Sequence, residues 1–289
     1  MLDYPYVTVA EFKKHPHYLD LDNLLVGEPG ALQDSTVREA LLFASTWADT
    51  ELDMPLGAHV RTENARVRPD RHGRLLYHPE HSPVIKVASI ATGGDPESMD
   101  EVTDPTVWTE QDGRIVIAYG PGAGTAGITS LQFGRPPAGG ELLVRWTYVA
   151  GYPATQLGAD ATAGVSALTV RSTVGMTTGT VLRLWTPGSE EAVTVLAVTG
   201  LTSVTLASPT LGDHQSGMTC SALPPDARMA IIKMACAKLL KKGPLAEMAG
   251  RTPKGPSPHA SSGDPKRTTA AGNYHQGACG LLASYKRVR

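Results

Sequence analysis

The sequence has few cysteines and few aromatic side chains. Its 289 residues include 3 Cys, and aromatic residues make up 6% of the chain. The cysteines, Cys220, Cys236 and Cys279, form no CxxC pair and are odd in number. This pattern argues against a disulfide framework and is typical of reduced thiols in a cytosolic protein.

Long hydrophobic runs are also lacking. No segment approaches the roughly 18 apolar residues that a membrane span requires, and the opening residues, MLDYPYVTVAEF, lack the basic and then apolar pattern of a signal peptide. The sequence therefore predicts no contact with a membrane. Apolar residues make up 41% of the chain, enough for an ordinary soluble core, and 30 Gly with 22 Pro indicate many turns.

The net charge of −2 conceals an uneven distribution along the chain. Residues 1–223 contain 14 Lys and Arg against 25 Asp and Glu, a net charge of −11, whereas residues 224–289 contain 12 against 3, a net charge of +9. The chain thus combines an acidic body with a basic end. Such an end is typical of a segment that meets nucleic acid or an acidic protein surface, and a solvated tail without a partner has the same composition.

The strongest local signal is a helix over residues 224–243, PPDARMAIIKMACAKLLKKG. Pro224 and Pro225 suit its first turn, where a missing N–H costs nothing. Apolar residues recur at helical spacing along one broad face, and cations occupy most of the remainder. Gly243 followed by Pro244 ends the helix.

A second amphipathic helix is predicted over residues 34–54. Thr36 and Glu39 form a capping box at its start. Its apolar face includes Trp47, and we expect that face to pack against the helix over residues 224–243. The two helices together predict a small helical core.

Two groups of short β-strands are predicted. The first lies within residues 59–152 and includes a hairpin over 108–119 and a strong strand over 141–152. The second lies within residues 157–223, where β-branched runs recur about every ten residues between glycines. This spacing is typical of a small antiparallel barrel or sandwich, and we interpret the segment as an insert that precedes the helix at Pro224.

The amino-acid composition changes near the end of the chain. Residues 244–278 are rich in Pro, Gly, Ser, Thr and Lys with almost no hydrophobic periodicity, which favours a flexible or extended segment. Residues 281–289 then regain apolar and aromatic side chains. That recovery is typical of a docking segment, and a short helix folded back on its own core would give the same pattern.

One stretch matches a phosphate-binding motif. Residues 122–127 have the pattern G-x-G-x-x-G and follow a predicted strand. A nucleotide site also needs the loop to open a helix, so that the helix dipole meets the pyrophosphate. Gly134, Pro136 and Pro137 follow shortly afterwards, so we predict no helix and no phosphate binding.

Other candidates for chemistry are equally weak. Glu190 and Glu191 are adjacent on a predicted hairpin, where a solvated pair is the ordinary interpretation. Several histidines lie close in sequence, but none has a cysteine or carboxylate at metal-ligand spacing. These histidines are His15, His17, His72, His78 and His81. We therefore predict no catalytic, cofactor-binding or metal-binding residues and no enzymatic activity.

The order of several segments suggests a family. The segments are, in order, ASTWADTELDMPLG, SPVIKVASIATG, WTEQDGRIVIAYG, VRWTYVAGY and PPDARMAIIKMACAKLL. Over residues 36–152 and 224–289 this order resembles the head-to-tail adaptor (head completion or connector) proteins of long-tailed bacteriophages. The clearest matches are the strand over residues 82–90 and the sequence Tyr-x-Ala-Gly-Tyr at 148–152, which in the family leads to a helix.

The chain departs from the family pattern at one place. About seventy residues of β sequence intervene between the Gly-Tyr strand and the helix. This insert resembles small β modules of other phage structural proteins through residues 179–184, 191–200 and 214–217. The expected fold class is therefore α+β, with a small core of two amphipathic helices, antiparallel hairpins, an inserted all-β module and an extended C-terminal tail.

The resemblance also implies a domain division and a role. The adaptor core would comprise residues 1–156 and 224–243, the inserted module 157–223, and a flexible basic arm 244–289. The protein would be a structural component of the virion at the head–tail vertex, made in the host cytoplasm. It would form a ring, usually a dodecamer in the family, that joins the portal to the next connector or tail protein and lets genomic DNA pass and be ejected without sequence-specific contact.

The resemblance places portal docking at the C-terminus, and two other functions stay open. The implied docking residues are Leu281, Leu282, Tyr285, Lys286, Arg287, Val288 and Arg289. One alternative is a phage surface or tail-associated protein whose β module recognises host glycan or a capsid protein. The other is an enzyme whose active site is assembled from distant residues.

Overall fold

A computed structural model describes residues 2–16, 19, 21, 30–68, 70, 74–102, 105–109, 114–119, 141–241 and 265–286. Its helices are α1 (Val9–Lys14), α2 (Gly30–Leu52), α3 (Pro225–Lys241) and α4 (Pro265–Leu282), and a 3₁₀ turn at Ala283–Tyr285 follows α4. The first strands are β1 (His59–Val67), β2 (Leu75–Tyr77), β3 (Val84–Gly93), β4 (Met99–Glu101), β5 (Pro105–Thr109), β6 (Ile115–Tyr119) and β7 (Leu142–Ala150). The later strands are β8 (Ala154–Gln156), β9 (Ala167–Thr169), β10 (Val181–Thr186), β11 (Ser189–Val198), β12 (Ser203–Leu206) and β13 (Thr219–Ser221).

The chain divides into two compact units. The first unit comprises Met1–Gly57 and Pro153–Arg289, and the second unit comprises Ala58–Tyr152. Helices and antiparallel sheets occur together, so the fold is α+β, as the sequence predicts. The division differs from the sequence-based one, which joined residues 1–156 to the helix over 224–243.

The second unit contains two antiparallel sheets that share a core. One sheet has the order β1-β7-β3-β4 and the other the order β2-β6-β5. Strand β7 lies between β1 and β3, and most of its side chains are buried. Trp146 of β7 stacks on Tyr77 of β2, with ring centroids 4.6 Å apart and an interplanar angle of 11°. Aromatic pairs of this offset kind stabilise beyond the area they bury.

A buried carboxylate organises the polar part of the second unit. Glu63 on β1 accepts hydrogen bonds from the hydroxyls of Tyr77 and Tyr148, and from the backbone N–H of Glu80 at 3.2 Å. Arg61 Nε lies 3.5 Å from its Oε1. Burial acts to raise the pKa of Glu63, but the tyrosine hydroxyls, the Glu80 N–H and Arg61 outweigh it, so the pKa lies below its ordinary value.

Replacing Glu63 with Gln is expected to lower the free energy of unfolding of the second unit by about 1–3 kcal/mol, because a buried group loses charge-assisted hydrogen bonds. The folded-state pKa lies below the ordinary 4.5, so this stability is present above that pH and is lost as pH falls through the folded-state pKa. Urea unfolding followed by tryptophan fluorescence, repeated across acidic pH, measures both effects.

Glu80→Gln is the matched control, since the Glu80 side chain is 67% exposed and its ion pair with Arg61 faces water. We expect a change within about 0.5 kcal/mol for this variant. Equal losses in the two variants, or an unchanged acid dependence in Glu63→Gln, would contradict the role assigned to Glu63.

The first unit contains a six-stranded antiparallel sheet with the order β8-β13-β10-β11-β12-β9. Its two edge strands, β8 and β9, lie next to each other. The backbone N–H of Arg171 donates to the carbonyl of Gln156, and the backbone N–H of Gly158 donates to the carbonyl of Thr169. Most of the enclosed side chains are apolar, among them Leu157, Leu168, Leu182, Leu184, Val195 and Val204. The strand signals in residues 157–223 therefore correspond to observed strands.

The observed sheet begins a few residues before the predicted β segment. The sheet begins with β8 and ends with β13, and these two strands pair with each other at Thr219–Gln156 and Ser221–Ala154. Each is three residues long, too short to carry a period of two in the sequence. Their pairing brings together the points where the chain enters and leaves the segment.

Helix α1 is fixed to the sheet through one acidic side chain. Thr8 caps the helix by accepting the backbone N–H of Glu11. The Glu11 carboxylate accepts hydrogen bonds from Arg183 on β10 at 2.8 Å and from Thr219 on β13 at 2.9 Å. Arg228 of α3 lies 3.5 Å from the same carboxylate, so this buried group joins α1, the sheet and α3.

Helix α2 begins earlier than the sequence predicts. It starts at Gly30, and Thr36 lies inside it. The hydroxyls of Ser35 and Thr36 both donate to the carbonyl of Leu32, so they satisfy an intrahelical acceptor and do not cap the helix. The capping-box prediction at Thr36 is therefore wrong.

Candidate functional site

The candidate site is the three-helix layer of α2, α3 and α4, because it holds the C-terminal residues that sequence resemblance assigns to docking. Helix α3 packs against both α2 and α4. It is buried on nearly all sides through small and apolar residues, namely Ala227, Ala230, Ile231, Ile232, Met234, Ala235, Cys236, Ala237, Leu239 and Leu240. The predicted contact between the two amphipathic helices is confirmed, but the predicted cationic outer face is narrower than expected.

The prediction of an extended C-terminal tail is wrong for residues 265–285. Residues 265–282 form α4, and the next three form a 3₁₀ turn. The buried residues Ala271, Ala278 and Leu282 recur at helical spacing and form the contact stripe. Because two of the three are alanines, the stripe carries little hydrophobicity and gave almost no periodic signal. Residues 242–264 lie outside the described residues.

Small residues let α4 approach α3 closely. A Cβ atom at Gly277 would lie 3.2 Å from Lys233 Nζ and 3.4 Å from its Cδ, so a larger residue there would displace the lysine. On the α2 side, the rings of Trp47 and His275 lie 5.8 Å apart between centroids, at 54°. Cys279 Sγ lies 3.9 Å from His275 Nε2. Trp47 therefore contacts α4, whereas the sequence predicted that its face of α2 would pack against α3.

The structure places four of the seven implied docking residues. Leu282 is fully buried, while Leu281 and Tyr285 are half-buried. Lys286 forms an ion pair with Glu51 at the end of α2. Arg287, Val288 and Arg289 lie outside the described residues. Residues 281–286 follow α4 and lie on their own chain in this structure, and the docking role of the segment stays a prediction.

Three of the basic side chains that the structure describes in residues 224–289 contact the N-terminal part of the first unit. Lys286 pairs with Glu51, and Arg228 approaches Glu11. Lys238 Nζ lies 3.9 Å above the ring of Phe43, a cation–π contact. Burial lowers the pKa of Arg228, as does neighbouring Arg183, whereas Glu11 opposes this. These contacts use charges that the sequence analysis assigned to an external acidic partner.

The acidic pair on the β hairpin is solvated at one of its two positions, since the Glu190 side chain is 55% exposed, as predicted, and the Glu191 side chain is 9% exposed. Glu190 lies 2.5 Å from Arg183 Nε. The Glu191 carboxylate accepts hydrogen bonds from the imidazole Nε2 of His214 at 2.7 Å and from the backbone N–H groups of Leu211 and Gly212. Burial acts to raise the pKa of Glu191, but these hydrogen bonds outweigh it and lower the pKa. Both side chains therefore stabilise the β segment.

Sequence reasoning missed a histidine pair in the second unit. His59 Nε2 and His81 Nδ1 lie 2.6 Å apart. Because the two residues are far apart in the sequence, their spacing did not indicate this contact. Burial lowers the pKa of His81, and His59 and Arg61 add to this. His17, His72 and residues 122–127 lie outside the described residues. Among the residues that are described, no group of three or more His, Cys, Asp or Glu is arranged to hold a metal ion.

Two of the three cysteine thiols, those of Cys220 and Cys236, are buried. Burial raises the pKa of Cys220 and of Cys236 to about 12, so neither is a thiolate near neutral pH.

Within the described part of the chain, no helix has the length and apolar character of a membrane span. Comparisons with protein-family models, curated proteins and solved structures find no match to this chain.

Leu282→Ala is expected to loosen α4 from α3 and to cost about 2–5 kcal/mol, because it removes the largest buried side chain of the contact stripe. Hydrogen exchange of the amides of residues 271–285 should become faster, while the second unit keeps its protection. Leu281→Ala, at a half-buried neighbour, serves as the control and should have the smaller effect. Identical exchange in the two variants would argue against the packing described.

Proposed function

We propose that this chain is a head-to-tail adaptor of a long-tailed bacteriophage. In this role it is a structural virion protein that forms a ring, usually a dodecamer, between the portal and the next connector, stopper or tail protein. The observation that carries the proposal is the C-terminal helix, which rests on α3 through small side chains and ends in a solvent-accessible ion pair. A segment held in this way can exchange its own helical layer for a groove on a partner.

The proposed docking step exchanges equivalent contacts. Lys286 leaves Glu51 for a carboxylate on the portal, and Leu281, Leu282 and Tyr285 leave α3 for an apolar groove. Exposed ion pairs contribute about 0–1 kcal/mol, and the Lys286 and Glu51 side chains are 45% and 29% exposed. The cost of release is therefore mainly that of exposing Leu282, which a groove between portal subunits can offset.

The same proposal accounts for the charge of the body. DNA is held when Lys and Arg neutralise its phosphates, and residues 1–223 carry a net charge of −11. A ring lined mainly by such a body would repel the duplex and let it slide through. The role requires no catalytic residue, cofactor or metal ion, and the chain would work at the capsid vertex after synthesis in the host cytoplasm.

Deleting residues 274–289 is expected to abolish attachment to purified portal rings, since it removes the docking segment. Because the deletion also uncovers part of α3, Arg287→Glu with Arg289→Glu is the second variant, and it leaves α4 intact. Co-sedimentation with portals and negative-stain images of the complex measure attachment. Lys14→Glu, at an exposed site on α1, is the matched control and should attach normally. Normal attachment by both docking variants would refute the docking role.

A second candidate function rests on a different surface. Residues 172–182 and 192–206 contain no Asp, Glu, Lys, Arg or His, and we call them the charge-free tip of the six-stranded sheet. Five large apolar side chains on it are exposed, and Leu201 is the most exposed at 86%. The others are Val174, Val181, Leu196 and Val198. Exposed apolar side chains mark a protein-interaction site where they form one surface, and the alternative function assigns that role to these five.

The charge-free tip favours a capsid protein over a host glycan as the alternative partner. The only aromatic side chain in residues 157–223 is Trp185, which is 8% exposed, so the segment offers no ring on which a sugar could stack. Leu201→Asp should reduce binding to tail-less capsids if this alternative holds. Leu211→Asp, at a site outside the tip that is 85% exposed, should leave it unchanged. Equal capsid binding by both variants would remove this alternative.

A further inference from the structure

The first unit carries a cleft with an excess of positive charge. Its volume is about 450 Å³, within the range of sites that hold a ligand or a peptide side-chain cluster. Lys13, Arg38 and Arg171 line it, and Asp34 is the single carboxylate among its lining residues. All four belong to residues 1–223, whose net charge is −11. We refer to it as the cationic cleft.

Among the residues that the structure describes, two of the three cations in the cleft have no carboxylate partner. Lys13 Nζ lies 2.5 Å from Asp34 Oδ1. Arg38 donates to the backbone carbonyl of Asp3 at 3.5 Å, and Arg171 lies 5.9 Å from the ring centroid of Tyr4. Within the described residues neither guanidinium has a carboxylate oxygen within 4.0 Å. Planar guanidinium groups bind carboxylates in pairs of parallel hydrogen bonds, so the cleft is suited to a cluster of carboxylates.

The β3–β4 hairpin has the complementary composition. Residues 95–101, DPESMDE, contain four acidic side chains and no basic one, and all four are exposed. Within the described residues no Lys or Arg nitrogen lies within 4.0 Å of the carboxylate oxygens of Glu97, Asp100 or Glu101, although Arg145 donates to the backbone carbonyl of Pro96 at 3.0 Å. We refer to residues 95–101 as the acidic hairpin.

The acidic hairpin is held in one shape. Asp95 accepts the backbone N–H groups of Glu97 and Ser98 at 3.0 and 2.9 Å, and the Ser98 hydroxyl at 2.7 Å. Gly93 closes the turn where a Cβ atom would lie 2.2 Å from the Ser98 carbonyl oxygen. A preformed turn loses little conformational entropy on binding, which favours its use as a docking element.

We propose that the acidic hairpin of one copy of this chain docks in the cationic cleft of a second copy. Two unlike surfaces that fit each other make a head-to-tail contact, and only such contacts, repeated with a rotation that closes, give a ring. Opposite charges on the two surfaces also exclude pairing of like surfaces and speed correct encounter. The inference rests on the proposed function for the presence of neighbouring copies, and it assigns the contact between them.

The test uses charge reversal in the full-length chain. The cleft variant carries Arg38→Glu and Arg171→Glu, and the hairpin variant carries Glu97→Lys and Asp100→Lys, all at exposed positions. The cleft variant places net negative charge on both surfaces, and the hairpin variant removes the net charge of the hairpin and sets two lysines against the arginines, so the association constant of each should fall by about tenfold or more. In an equal mixture, contacts alternate between an unaltered hairpin in an unaltered cleft and the two introduced lysines against the two introduced glutamates, so association should return.

Sedimentation velocity at low and high ionic strength, with negative-stain imaging in the presence and absence of portals, gives the readout. Lys14→Glu and Glu39→Lys are charge-reversal controls at exposed sites outside the two surfaces and should associate as the unaltered chain does. Near-ultraviolet circular dichroism checks that each variant is folded.

The outcomes separate this inference from the proposed function. Rings of the unaltered chain with loss in each variant and recovery in the mixture support the contact. Rings of both variants would overturn the contact and leave the adaptor proposal standing, as would loss without recovery in the mixture. If the unaltered chain forms no ring even with portals, both the adaptor ring and the contact are overturned.

Discussion

The burial of helix α3 is the constraint on which the helical layer depends. Alanine occupies four of its positions, and these are buried. Small side chains on a central helix let a neighbour approach on each side, and α2 and α4 use the two sides. The same alanines supply little hydrophobic free energy per residue. The layer therefore depends on a few larger side chains, and Leu282 is the one that α4 contributes.

Glu11 performs a related task with charge. Its carboxylate is buried and contacts the sheet and α3 together through Arg183, Thr219 and Arg228. A buried charge is stable only where its partners are in place, so the Glu11 contacts specify one arrangement of α1, sheet and helix. The Glu63 cluster does the same within the second unit, with two tyrosine hydroxyls in place of arginines.

The sequence predicts the elements whose signal is local. The helix over residues 224–243 and the strands of residues 59–152 and 157–223 follow from spacing, prolines and glycines. Helix α4 does not, because glycines and alanines along its stripe carry no amphipathic pattern, and its stability comes from α3. The three-residue strands β8 and β13 are likewise fixed by their pairing with each other.

The candidate sites show the same limit. The implied docking residues could be named from sequence, but not their packing, because Glu51 and Lys286 are far apart in the chain. The cationic cleft was missed because Lys13, Arg38 and Arg171 come from three separate segments. Charge counted along a chain gives the amount available for a partner, and only the fold shows which charges neutralise one another.

This distinction bears on how an acidic body and a basic end coexist in one chain. In the separate chain, Lys286 and Arg228 contact carboxylates of the N-terminal segment, so part of the attraction expected toward an acidic partner is already satisfied internally. Exchange of such exposed pairs changes the free energy little, and the apolar contacts of Leu281, Leu282 and Tyr285 must then decide where the terminus rests. In the proposed role, a terminus held in this way stays on its own chain until a portal offers a better apolar groove, and the cationic cleft and the acidic hairpin take no part in that exchange.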